Sequence, residues 1–103
     1  MTRLEQLYKY YEEDPHDPFN IYALALELTK SNPQEASKLF DVAITRHPAY
    51  LPSYYHAAKL YETLQEKDKA IQRYEQGIDQ AKKQNQSKVL RELQSALSEL
   101  LYE

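Results

Sequence analysis

The chain repeats itself. Displaced by 34 residues, Ala36 falls on Ala70, Phe40 on Tyr74, Ala43 on Gly77 and Ile44 on Ile78. Upstream the match improves at a displacement of 33. Ile21 then falls on Tyr54, Tyr22 on Tyr55, Leu24 on Ala57, Ala25 on Ala58, Leu28 on Tyr61 and Pro15 on Pro48. The simplest account is one residue missing from the first unit's inner turn, between Leu28 and Ala36, because connections absorb deletions that helices do not. A period near 34 residues is that of a helix–turn–helix unit stacked into a solenoid. Small residues at Ala25, Ala36, Ala43, Ala58, Ala70 and Gly77 let helix axes approach, and Leu28, Phe40, Tyr61 and Tyr74 fill the space beside them. Each unit buries only part of its apolar face, so its neighbours must cover the rest.

The local pattern agrees. Apolar residues recur at spacings of three and four, and strict alternation is absent, which is helix periodicity. Prolines punctuate it at Pro15, Pro18, Pro33, Pro48 and Pro52, where a first-turn position is tolerated and an interior one is not. Six helices are expected at about residues 3–13, 18–30, 33–47, 51–65, 67–83 and 87–102. Asp17 before Pro18 and Asn32 before Pro33 read as caps, Asn32 with Glu35 three residues on. Ser87 is expected to cap the last helix and Asn85 to end the one before it. Residue 51 brings no cap, only Pro52. With one Gly in 103 residues the chain lacks the tight turns of a barrel or sandwich. No long linker interrupts it, and short connections make neighbouring helices antiparallel. The expectation is one all-α domain spanning 1–103. It divides into an N-terminal helix (1–16), two helix pairs (17–50 and 51–84) and a C-terminal helix (85–103). The two end helices act as caps.

Charge and composition bound the function. Lys and Arg total 13 against 16 Asp and Glu, a net charge of −3. That balance does not build the positive field that phosphate backbones require, so nucleic-acid binding is not expected. No apolar stretch approaches the length of a spanning helix. The first residues lack a basic segment followed by an apolar one, so neither membrane association nor secretion is expected and a cytoplasmic location is. With no Cys there is no disulfide, thiolate metal site or cysteine nucleophile. His16, His47 and His56 form neither an i, i+4 pair nor a His-Glu-x-x-His motif. The acidic run Glu12-Glu13-Asp14 reads as a solvated helix end. No serine stands in a nucleophile elbow, and no glycine-rich loop could cradle a phosphate. The chain is therefore not expected to be an enzyme, and no catalytic residue, metal site or cofactor is assigned.

The second unit reads Tyr54-x2-Ala57-Ala58-x2-Tyr61 followed by Ala70-x3-Tyr74, and the first unit carries Ile21, Leu24, Ala25, Leu28, Ala36, Phe40 and Ala43 and closes with Pro48. This pattern resembles the tetratricopeptide repeat (TPR) family over residues 17–83. Ile21 and Tyr54 stand where Trp is usual, and Ala25 and Ala58 where Gly is usual. No proline follows the second unit, so its last helix should run longer. Leu7 and Tyr11 fall on Phe40 and Ile44, so the first helix resembles the second half of a repeat. The chain as a whole resembles short stand-alone bacterial TPR proteins. The resemblance implies a short right-handed solenoid of antiparallel helix pairs, two full repeats plus end-capping helices. It also implies a protein–protein interaction module whose inner helices line a concave groove.

On that fold Phe19, Tyr22, Ala23 and Leu26 of the first unit, and Tyr55, His56, Lys59 and Glu62 of the second, with Pro52 at its foot, should face the groove. Phe19, Tyr22, Leu26 and Tyr55 would make an aromatic-lined docking surface for a partner helix or extended peptide, since Tyr offers large area at small entropy cost. The partner-binding residues expected are Phe19, Tyr22, Leu26, Tyr55, His56, Lys59 and Glu62. The carboxylate clamp of chaperone-binding TPR domains is not expected, because Tyr22 and Leu26 occupy its first-unit positions. The alternative is a structural or self-associating unit, a weak homodimer whose groove or end helices pair with a second copy. The last helix either caps the stack or folds across the groove, and the sequence leaves both open.

Overall fold

Prolines and polar caps set where helices begin. The computed structural model describes residues 1–103 as α1 (Arg3–Glu13), α2 (Pro18–Leu28), α3 (Pro33–Arg46), α4 (Pro52–Thr63), α5 (Lys67–Lys83) and α6 (Ser87–Leu101). Pro18, Pro33 and Pro52 each occupy the first helical position, where a missing N–H costs nothing. Asp17 accepts from the Phe19 N–H at 2.9 Å and Asn32 from the Glu35 N–H at 3.3 Å. Thr2 and Glu5 form a reciprocal capping box on α1, a signal the sequence reading did not use. α4 has no side-chain cap.

The helix ends differ slightly from expectation. α2 stops at Leu28 rather than residue 30, and Thr29 turns its hydroxyl back to the Ala25 carbonyl at 3.1 Å. α3 stops at Arg46 because His47 precedes Pro48, which disfavours helical backbone. α5 is the longest helix at 17 residues, as the missing proline suggested. Ser87 is not the cap of α6. Gln86 holds that position, without a side-chain bond, and Ser87 is the first helical residue.

Two turns use left-handed residues. Gln65 has φ 64° and Asn85 φ 56°. In each, the following N–H reaches back to the last full turn of the preceding helix, Glu66 to Tyr61 at 2.9 Å and Gln86 to Ala81 at 3.0 Å. That is the Schellman termination. The first unit's inner turn has no left-handed residue. The repeat that is one residue longer is thus the one that ends its inner helix on a left-handed cap.

Packing follows the repeat. α2 packs on α3 and α4 on α5, the pairs meet through α3 and α4, and α1 and α6 lie on α2 and α5. The chain measures 42 × 29 × 19 Å. Ala25, Ala36, Ala57, Ala58 and Ala70 are fully buried where helices approach, and Phe40, Tyr54 and Tyr74 fill the volume between them. Each such ring contributes roughly 1.5–3 kcal/mol when taken out of water. Their polar tips are paired. The Tyr54 hydroxyl donates to the Pro48 carbonyl at 2.6 Å. The Tyr61 hydroxyl donates to Asp41 at 2.5 Å, and Arg73 donates to the same carboxylate at 2.9 Å. That cluster ties α3, α4 and α5 together.

Candidate functional site

The inner helices α2, α4 and α6 carry one continuous surface. On α2, Phe19 is 56% exposed and Leu26 37% exposed, while Tyr22 is half-buried. The Phe19 and Tyr22 rings meet at a tilt of 51° with their centres 6.4 Å apart. From Tyr22 the aromatic contacts cross to the second unit, reaching His56 at 5.7 Å, and His56 meets Tyr55 edge-on at 5.5 Å. The Lys59 ammonium then lies 5.7 Å from the centre of the Tyr55 ring, a cation–π distance. Lys59 also pairs with Glu62 at 3.7 Å, and Glu62 accepts from the Tyr74 hydroxyl at 2.5 Å.

The structure therefore brings Phe19, Tyr22, His56, Tyr55, Lys59 and Glu62 into one chain of contacts. Leu26 stands one turn beyond Tyr22 on the same helix and is solvent-exposed. Ala23, expected on this surface, is buried, only 7% exposed. It lies on the flank of α2 that joins the core. Pro52 is exposed at the start of α4. Neither the last helix nor the first covers the patch. α6 packs on α5 and continues the inner row, and Phe19 stays open.

Two groups of residues were missed by sequence reasoning. Tyr50, in the turn between α3 and α4, packs edge-on against Tyr22 at 5.8 Å and backs the aromatic patch. Its only sequence signal was an apolar side chain in a turn. The second group is the polar face of α6. An open cavity of about 490 Å3 lies between α4 and α6, lined by Tyr55, Lys59, Lys88, Arg91, Glu92 and Glu99 among others. The repeat would have pointed there had α6 been aligned as a third inner helix.

Burial sets the protonation of the groove. It lowers the pKa of His56 below its ordinary value, so the imidazole is neutral near pH 7 and its ring behaves as an aromatic surface. Burial raises the Tyr22 phenol. Tyr50 is raised first by burial and then by the neighbouring Tyr22 and Asp17. The patch is thus uncharged around Tyr22, Tyr50 and His56, and becomes charged towards α6. No cluster of three or more His, Cys, Asp or Glu side chains stands close enough to hold a metal ion. No helix is long and apolar enough to cross a membrane.

Comparisons with known proteins match this geometry. No family profile and no curated sequence matches the chain. Among solved structures, the chain is similar to the solution structure of a tetratricopeptide repeat domain protein from Salinibacter ruber. The two are 44% identical with a TM-score of 0.80, over 84% of this chain and 89% of that one. A crystal structure of a tetratricopeptide repeat domain protein from the same organism is also 44% identical, with a TM-score of 0.76 over 82% of this chain and 94% of that one. MamA shares the fold at 22% identity, with a TM-score of 0.69 over 95% of this chain and 64% of its own. Two stacked helix pairs with alanines at the close approaches, together with 44% identity to such a domain over most of both chains, place this chain in the tetratricopeptide repeat family.

Proposed function

We propose that this chain is an interaction module that holds a peptide or helical segment of a partner protein in the groove formed by α2, α4 and α6. The observation that carries the reading is the surface from Phe19 to Lys59. Two large apolar side chains stand open to solvent beside an uncharged aromatic patch, on the face of a repeat fold that its own helices leave uncovered. Contiguous exposed apolar groups of this kind mark interaction sites, and rigid aromatic rings are the usual anchors. Phe19, Tyr22, Leu26, Tyr55 and His56 would supply the apolar contact. Lys59 and Glu62, already paired, would fix orientation at the charged end. This reading includes no catalysis, cofactor, nucleic acid or membrane, and it places the protein in the cytoplasm.

The test is a selection from a display library of peptides against the full chain, followed by NMR titration with the selected peptide. Amide shifts confined to α2 and α4 around Phe19, Tyr22, Leu26 and Tyr55, with binding lost in a Tyr22→Ala/Tyr55→Ala variant of unchanged helicity, would support the reading. Shifts confined to α3 and α5, or no selected peptide, would overturn it.

A further inference from the structure

Aligned as a third inner helix, α6 changes the chemistry of the groove. A displacement of 36 sets Ala57 and Leu60 of α4 on Leu93 and Ala96 of α6, and all four are buried. The same displacement carries the groove positions along. Phe19, Pro52 and Lys88 form one row across the three inner helices, and Tyr22, Tyr55 and Arg91 form the next. Each row starts on an aromatic ring and ends on a cation. Tyr55 from α4 and Arg91 from α6 line the same open cavity. The cations around it differ in what neutralises them. Lys59 is paired with Glu62 at 3.7 Å. Lys88 has Glu92 four residues on, a spacing at which helices pair opposite charges. Arg91 has no carboxylate at three or four residues in either direction, where Ser87, Lys88, Gln94 and Ser95 stand. Its guanidinium joins none of the chain's ion pairs. Glu99, which also lines the cavity, lies two turns further along α6, about 12 Å away.

We propose that Arg91, with Lys88 one turn before it, receives the carboxylate of an Asp or Glu side chain in the segment that the groove holds. This rests on the peptide-binding reading above and adds the chemistry of the partner. Its apolar residues lie on Phe19, Tyr22 and Tyr55, and one acidic residue follows at α6. A guanidinium offers a carboxylate two parallel N–H donors. The like charge of Lys88 three residues away is unfavourable in the free chain, and a bound carboxylate relieves it. A cavity of about 490 Å3 is about 8 Å across, which extended chain spans in about two or three residues. The acid therefore stands at that spacing from the apolar residue seated on Tyr55. A single acid fits better than an acidic run or a phosphate backbone, because Glu92 and Glu99 line the same cavity and repel further negative charge. The cavity is open, so the bound chain has room to run on past Arg91. That is the geometry of a side-chain carboxylate and not of a chain terminus.

The test is a display library of short peptides fused to the carrier through their C-termini, so that no terminal carboxylate is free. It is sorted in parallel on the full wild-type chain and on Arg91→Glu. Arg91 is exposed, so helicity by circular dichroism should be unchanged in the variant. Wild type should select apolar peptides that carry Asp or Glu at the spacing given above. Arg91→Glu should select the same apolar residues with Lys or Arg in place of the acid. For one wild-type peptide, changing its acid to Ala should weaken binding about tenfold. That change should matter little on Arg91→Glu, since the two groups act as a pair. Peptides that show no acidic position and bind Arg91→Glu as well as wild type, yet are lost on Tyr22→Ala/Tyr55→Ala, would overturn this inference and leave the groove reading standing. Peptides indifferent to Tyr22→Ala/Tyr55→Ala, or no selected peptide, would overturn both. An acid-to-Ala peptide that regains its affinity when made with a free C-terminus would assign Arg91 to chain ends and overturn the side-chain assignment.

Discussion

Gly77 of α5 lies against Tyr54 of α4 so closely that a β-carbon at Gly77 would stand 2.7 Å from the Tyr54 Cβ and 3.0 Å from Leu93 Cδ1. The first of these atoms is fixed to the backbone of α4, so the helices themselves must separate to admit it. Gly77→Ala gains up to ~1 kcal/mol of helix propensity, and overpacking costs ~1–3 kcal/mol. The expected net effect is a loss of about 1 kcal/mol, read as a lower urea midpoint. A variant as stable as wild type would show that α4, α5 and α6 can shift apart freely.

Gln65 holds φ 64° at the end of α4. A side chain other than Asn or Asp pays for that conformation, and Gly does not. Gln65→Gly should therefore raise stability by about 0.5–1 kcal/mol, the relief of left-handed strain exceeding the freedom that Gly adds to the unfolded chain. Asn85→Gly, at φ 56°, should gain less, because Asn tolerates the left-handed region. Denaturant unfolding of both variants checks the order.

The Ser53 hydroxyl is fully buried in the first turn of α4 and has no partner. Its counterpart in the first unit, Asn20, is longer and donates to the carbonyls of Tyr10 and Asp14, each at 3.2 Å. Ser53 occupies the same position but makes no such bond. Removing an unpaired buried hydroxyl recovers its desolvation cost, so Ser53→Ala should stabilise the fold by roughly 1 kcal/mol. A destabilised Ser53→Ala variant would mean that the hydroxyl is bonded in solution.

What the sequence displayed depends on which physics set each element. Helix starts were legible because Pro18, Pro33 and Pro52 sit at the first helical position. The core was legible because Ala25, Ala58 and Ala70 repeat. The cap at Ser87 was misread because one residue serves two helices. The left-handed Asn85 makes Gln86 close α5 through Ala81 and also accept from Leu90 as the first carbonyl of α6. Glu66 does the same between α4 and α5. The place of α6 was hidden by α5, whose 17 residues move the third inner helix out of the period of 34. Tyr50 was hidden because a turn residue has no periodicity to betray its burial.

Asp41 joins Tyr61 and Arg73 across three helices. Burial, followed by the bond to Asp41, raises the Tyr61 phenol from its ordinary value of 10.0 to about 12. A raised acid keeps its proton in the folded chain after the unfolded chain has lost it. Its contribution is complete below pH ~10 and fades as pH rises towards 12. Tyr61→Phe should lower stability at neutral pH by about 1 kcal/mol and flatten the loss between pH 10 and 12. Denaturant midpoints measured across that range would show no such flattening if burial and the Asp41 bond did not hold the phenol's proton.

His56 gives the opposite limb. Its folded pKa lies below the ordinary 6.5, the cause being burial between Tyr22 and Tyr55. Above pH ~6.5 the ring is neutral in both folded and unfolded chains and exacts no penalty. As the pH falls below 6.5, the unfolded chain takes up the proton first. Stability then declines until the pH passes the folded pKa, below which this contribution is constant. NMR titration of the His56 ring should show a midpoint below the ordinary 6.5, and His56→Phe should remove this part of the acid limb. The same proton would place a charge in the middle of the uncharged aromatic patch. Binding of an apolar peptide in the groove should therefore weaken as pH drops through the His56 midpoint, and should lose that dependence in His56→Phe. A peptide affinity that stays flat through the midpoint in the wild type would place the contact away from Tyr22 and Tyr55.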